Sequence, residues 1–74
     1  MLHFVESGNP DGETIIYLHG SGMAAWSWQD VTGQLPQFHN IAVDLPGHGQ
    51  SNTIRANSLV DMAEIVADFI AEAA

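Results

Sequence analysis

The sequence predicts an α/β fold in the order β-β-α-β-α, with parallel strands flanked by helices. Two observations carry this. Thr14–Leu18 and Ile41–Leu45 are continuous apolar runs that do not alternate with polar residues, the pattern of strands covered on both faces. Each runs into a glycine-bearing loop and then a segment of helical period, and strands that alternate with helices build parallel sheets.

The elements follow in order. Leu2–Val5 is a short extended segment. Gly8-Asn9-Pro10-Asp11-Gly12 is a turn, because proline presets φ and glycine accepts the positive φ that closes it. After the Thr14–Leu18 strand, Ala24–Leu35 reads as a helix with Trp28, Val31 and Leu35 on one face. Gly33 weakens that helix and Pro36 marks its end. Pro46–Ser51 is a loop that needs glycine at unusual dihedrals. The last helix starts at the N-cap Ser58, with Asp61 as a capping-box-like acid. Leu59, Met62, Ala63, Val66, Phe69, Ile70 and Ala73 form its apolar face; Asp61, Glu64, Asp68 and Glu72 lie opposite. The helical pattern reaches Ala74 without a glycine cap or a basic last turn, which predicts a cut through a longer design. Residues 1–74 are therefore expected to be a single partial domain.

Bulk properties exclude several classes of function. Nine acidic residues face one basic residue, Arg55, for a net charge of −8. Phosphate binding needs Lys and Arg to displace counterions, so neither nucleic acid nor an anionic membrane surface is an expected partner. There is no cysteine, hence no disulfide or thiolate metal site. His3, His19, His39 and His48 lack metal-ligand spacing, and His39 is expected on the surface just before a strand. No phosphate loop is present, and no cofactor is expected. The N-terminus is not a signal peptide, and no apolar run approaches the ~18 residues of a membrane span. A soluble cytoplasmic protein is the default.

Right-handed crossovers bring the C-terminal ends of the two strands to one sheet edge, the usual ligand edge of such sheets. His19-Gly20-Ser21-Gly22 and Asp44-Leu45-Pro46-Gly47-His48-Gly49-Gln50-Ser51 then lie side by side. Taken alone, His19–Gly22 reads first as a tight strand-to-helix turn, and second as a source of backbone N–H groups for a developing oxyanion.

Together the two motifs resemble the α/β-hydrolase superfamily. The likeness runs closely over Glu13–Ser51, including Trp26 and Trp28, and the helix from Ser58 fits the next family helix. The fold is then the N-terminal portion of an α/β-hydrolase sheet. The resemblance implies that the Ser21 backbone N–H serves one half of an oxyanion hole, with Gly20, Gly22 and Met23 beside the substrate. It implies no nucleophilic role for the Ser21 hydroxyl. His19 and Gly20 shape the turn, and Asp44, Gly47, His48 and Gly49 hold the neighbouring loop. Met23 and Trp26 line the pocket or, as the first expectation, pack into the core. In such an enzyme a serine attacks an ester, thioester or related carbonyl of a small-molecule substrate. Family members also include C–C bond hydrolases, lactonases, haloalkane dehalogenases, perhydrolases and lyases of menaquinone synthesis. Dehalogenases often place Asn or Glu after His-Gly, so Ser21 argues against one, and Ser21 and Met23 interrupt the His-Gly-Gly-Gly run of many lipases.

The nucleophile elbow Gly-x-Ser-x-Gly and the acid and histidine that follow it are absent from these 74 residues. The chain alone is therefore expected to be inactive. A local triad of Ser21, Asp44 and His48 is open on topology, but it is a geometric claim that spacing does not establish. The competing reading is a non-catalytic remnant or interaction module. The family strand order puts the Ile41–Leu45 strand in the middle and leaves Thr14–Leu18 as an apolar edge, which invites self-association.

Overall fold

A computed structural model describes residues 1–73. The chain forms β1 (Phe4–Gly8), β2 (Thr14–Leu18), a 3-10 turn (Ala25–Trp28), α1 (Gln29–Gly33), β3 (His39–Val43), a second 3-10 turn (Gly49–Ser51) and α2 (Leu59–Ala73). The predicted continuation of α2 to Ala74 lies outside the described residues.

The three strands form one sheet in the order β1-β3-β2. β2 and β3 run parallel, Leu18 opposite Val43, as their unbroken apolar character predicts. β1 pairs antiparallel with β3, Phe4 opposite Val43, so the sheet is mixed and not wholly parallel. The reason is local: the turn at Asn9–Gly12 reverses the chain without a crossover helix, and a short reversal cannot return it in parallel. Asn9 N–H binds the Phe38 carbonyl at 2.9 Å, and Asp11 N–H binds the Asn9 side chain at 3.0 Å.

β3 is the central strand, and both its faces are covered. Ile41 and Val43 join Leu2 and Phe69 in one cluster, with Phe4, Ile16, Ile54, Ile65, Val66 and Ala73 packed around it. Ala42 joins Tyr17 and Ala25 on the other face, against Ile15 and Trp28. The strand starts two residues earlier than the apolar run suggests because Asn40, fully buried, belongs to it. Its amide accepts the Tyr17 hydroxyl proton at 2.7 Å and donates to the Leu35 carbonyl at 2.9 Å, so a polar residue is satisfied inside the core. His39 lies within the strand rather than before it. Its Nε2 lies 2.6 Å from Glu6 Oε2 and its Nδ1 3.2 Å from Thr14 Oγ1.

The predicted helix Ala24–Leu35 is reduced to a 3-10 turn and a single α-helical turn. No side chain of its own caps the start, and Gly33 ends it, as its poor propensity favours. Val31 is exposed, leaving Trp28 to carry the contact with the sheet, 5.2 Å from the Tyr17 ring.

α2 begins as expected. Ser58 Oγ accepts the Asp61 N–H at 3.1 Å, while Asp61 Oδ2 accepts the Asn57 N–H at 3.1 Å. Its buried stripe is rotated from the expected face. Phe69 is buried, with Ile65, Val66 and Ala73 beside it, whereas Leu59 is 84% and Ile70 39% exposed. The apolar stripe is wider than the sheet it meets, and the part left over borders a groove of about 410 Å³ with Leu18, Leu45 and Met62. No helix among the described residues is long and apolar enough to cross a membrane.

Candidate functional site

Parallel pairing of β2 and β3 delivers His19–Met23 and Asp44–Ser51 to the same edge, where each loop hydrogen-bonds the other. His19 is buried. Its Nε2 accepts the Leu45 N–H at 3.0 Å, so the ring proton sits on Nδ1 and goes to the Gly20 carbonyl at 2.7 Å. His48 mirrors this from the other loop. Its Nε2 accepts the Gly22 N–H at 3.2 Å, and its Nδ1 donates to the Pro46 carbonyl at 3.0 Å. The two rings lie 4.9 Å apart, tilted by 58°.

Within the first turn, Met23 N–H also binds the Gly20 carbonyl, at 3.1 Å. Gly22 has φ +80°, a left-handed value that L side chains rarely adopt. Gly20, Ser21, Gly22 and Met23 are all exposed. Among the described residues, no hydrogen bond reaches the Ser21 N–H.

Asp44 anchors the second loop. Its side chain is buried, 5% exposed. Oδ1 accepts the Ala25 N–H at 2.7 Å; Oδ2 accepts the Gln50 N–H at 3.1 Å and meets His3 Nδ1 at 2.8 Å. Burial works to raise its pKa, but the Ala25 and Gln50 amides and the His3 ring together hold it below the ordinary carboxylate value. Asp44 thus caps the 3-10 turn from outside, taking up an N–H that its own helix leaves without a partner. Gly49, at φ +50°, lies against that carboxylate; a Cβ there would meet Asp44 Oδ1 at 2.5 Å. Ser51, fully buried, accepts the His3 N–H at 2.9 Å.

These bonds separate the residues of the local triad. Asp44 is bonded to His3, not His48, and the lone pair of His48 Nε2 is taken by Gly22. Ser21, Asp44 and His48 therefore share an edge without forming a relay. The sequence reading missed His3, whose lone polar place in an apolar N-terminal segment is its only signal. Met23, 41% exposed, and Trp26, 63% exposed, do not pack into the core, because the sheet receives only Ala25 and Trp28 from that turn. Trp26 instead borders a cleft of about 200 Å³ with His3, Asp44 and Gln50. Among the described residues, no group of three or more His, Cys, Asp or Glu could hold a metal.

The Alpha/beta hydrolase family matches residues 15–74, and the chain belongs to that family. It is 36% identical over 62 residues to a 2-succinyl-6-hydroxy-2,4-cyclohexadiene-1-carboxylate synthase of Enterobacter sp., covering 84% of this chain and 24% of the relative. It is 46% identical over 61 residues to a pimeloyl-[acyl-carrier protein] methyl ester esterase of Pectobacterium carotovorum, covering 81% and 23%. It is 37% identical over 57 residues to an (E)-2-((N-methylformamido)methylene)succinate hydrolase of Acinetobacter baylyi, covering 76% and 21%. The chain thus spans about a quarter of the length of these curated relatives.

Proposed function

We propose that the chain is the N-terminal segment of an α/β-hydrolase enzyme acting on an ester, thioester or related carbonyl of a small-molecule substrate. Its part in the reaction is the Ser21 N–H, one of the two donors that hold the oxyanion, with Gly20, Gly22 and Met23 at the substrate's side. The observation that carries the reading is the unpaired Ser21 N–H, in a turn whose Gly20 carbonyl and Gly22 N–H are both engaged. The named relatives, a methyl ester esterase and an (E)-2-((N-methylformamido)methylene)succinate hydrolase among them, support the reaction class. No Gly-x-Ser-x-Gly occurs in the 74 residues, so this segment stabilises charge on a carbonyl that a nucleophile outside it attacks.

Active-site titration with a fluorophosphonate, beside an assay with a short acyl chromogenic ester, tests this. The 74-residue chain is expected to give neither labelling nor serine-dependent turnover, and stoichiometric labelling at Ser21 would overturn the reading. Beyond the Ala74 codon a continuing frame with Gly-x-Ser-x-Gly is expected.

A second reading, a non-catalytic module that self-associates, rests on β2. That strand pairs with β3 alone among the described strands, and its Leu18 is 42% exposed. A bare apolar edge pairs readily with another chain. Sedimentation resolves the point: association with rising concentration supports it, and a compact, cooperatively melting monomer removes it.

A further inference from the structure

We infer that His48 is a positioning residue for the oxyanion turn: by taking up the Gly22 N–H, it restrains the turn that presents the Ser21 N–H. The inference rests on the reading of Ser21 given above, and goes beyond it by naming what sets the donor.

The argument is an accounting of backbone groups. Between Gly20 and Met23 the turn offers a small set of polar groups at an exposed edge, and among the described residues the N–H groups of Gly20 and Ser21 carry no hydrogen bond. The Gly20 carbonyl receives two protons, from His19 Nδ1 and from Met23 N–H. The Gly22 N–H is aimed at His48 Nε2, 26 residues away in sequence. An imidazole nitrogen accepts only when it carries no proton, so this bond requires His48 to hold its proton on Nδ1, and the Pro46 carbonyl at 3.0 Å fixes that tautomer. His19 makes the reciprocal connection, its Nε2 accepting Leu45 N–H of the opposite loop. Each histidine therefore receives an amide from the other's loop and returns a proton to a carbonyl beside itself. The two rings pack on one another at 4.9 Å, so the two links lie side by side.

A preorganised donor is worth more than a mobile one, because no reorganisation is needed as charge develops. Gly22 alone does not supply that fixity. Its φ of +80° comes with open space where a Cβ would stand, so no packing holds the turn at that residue. The hydrogen bond that the Gly22 N–H donates to His48 Nε2 supplies a restraint that packing does not.

The direct test is nitrogen NMR on the isotope-labelled 74-residue chain. The expected result is an unprotonated Nε2 on His48 with a scalar coupling across the hydrogen bond to the Gly22 amide. In His48→Phe, Gly22 amide exchange is expected to rise roughly tenfold, the loss of one such bond, while His48→Gln, whose side-chain oxygen can accept the N–H, recovers most of the protection. A His48 protonated on Nε2, or Gly22 exchange unchanged in His48→Phe, overturns the inference.

Its failure is separable from failure of the oxyanion reading in a chimera carrying this segment in place of the matching region of the Pectobacterium esterase. There His48→Phe is expected to lower kcat roughly tenfold with KM unchanged, and His48→Gln to restore it. If Ser21→Pro, which deletes the N–H, leaves kcat intact, the oxyanion reading fails, and with it the functional half of the inference. If Ser21→Pro abolishes turnover but His48→Phe does not lower it, the inference alone fails.

Discussion

The loop edge and the outer flank of this small sheet are built on opposite terms. At the loop edge, Asp44, His19 and His48 are joined to backbone groups, and His3 to the Asp44 carboxylate, by bonds of 2.7–3.2 Å, and Gly49 is pressed against Asp44. On the flank, Leu18, Leu59 and Ile70 stand exposed along an apolar groove. The difference teaches that the loop edge's geometry is carried by contacts local to this segment. The flank offers apolar surface.

Four substitutions and one titration break or sharpen that contrast. The largest effect is expected from Asp44→Ala. It strands the Ala25 and Gln50 amides and the His3 ring, and a charged acceptor lost from buried donors costs about 3 kcal/mol, read as a lower urea midpoint at unchanged slope. Gly49→Ala follows at about 2 kcal/mol, since it combines a positive φ with a contact on the Asp44 carboxylate. An equal midpoint for wild type and Gly49→Ala would show that the loop yields more freely than its bonding implies.

The pH dependence comes next. The folded pKa of Asp44 is depressed, so its contribution is fully present above the unfolded value of about 3.9 and is lost as pH falls through the folded value. The urea midpoint should drop over that acid window, and Asp44→Asn should flatten the drop. The smallest effect belongs to the flank. Leu59→Ala, at a side chain 84% exposed, should move the midpoint by less than about 0.5 kcal/mol. A larger loss there would mean that the flank is ordered by contacts of its own.

The same contrast explains what was legible in the sequence. The β2 and β3 runs announce a parallel pair because both are apolar without alternation, and Ser58 announces the start of α2. The loop edge was legible as a motif but not as a mechanism. Spacing puts His48 beside the first turn, yet only geometry shows that it bonds Gly22 rather than Asp44. Three features escaped, two of them because they depend on a partner distant in the chain. Asn40 looks like a loop residue until Tyr17 and Leu35 satisfy it. The antiparallel sense of β1 follows from its reversal at Asn9–Gly12, and His3 acquires its place only through Asp44. The α2 face was misjudged at Leu59 and Ile70 because helical period gives a stripe, while the width of the sheet decides how much of it is covered.

The central claim is that the Ser21 backbone N–H, and not its hydroxyl, does this segment's part of the chemistry. The most direct measurement is the ratio of kcat between Ser21→Ala and Ser21→Pro in the chimera with the Pectobacterium esterase. Alanine deletes the hydroxyl and keeps the N–H; proline deletes both. A ratio of roughly 100 to 1,000, the usual cost of removing one oxyanion donor, is the predicted result. A ratio near one would contradict the account.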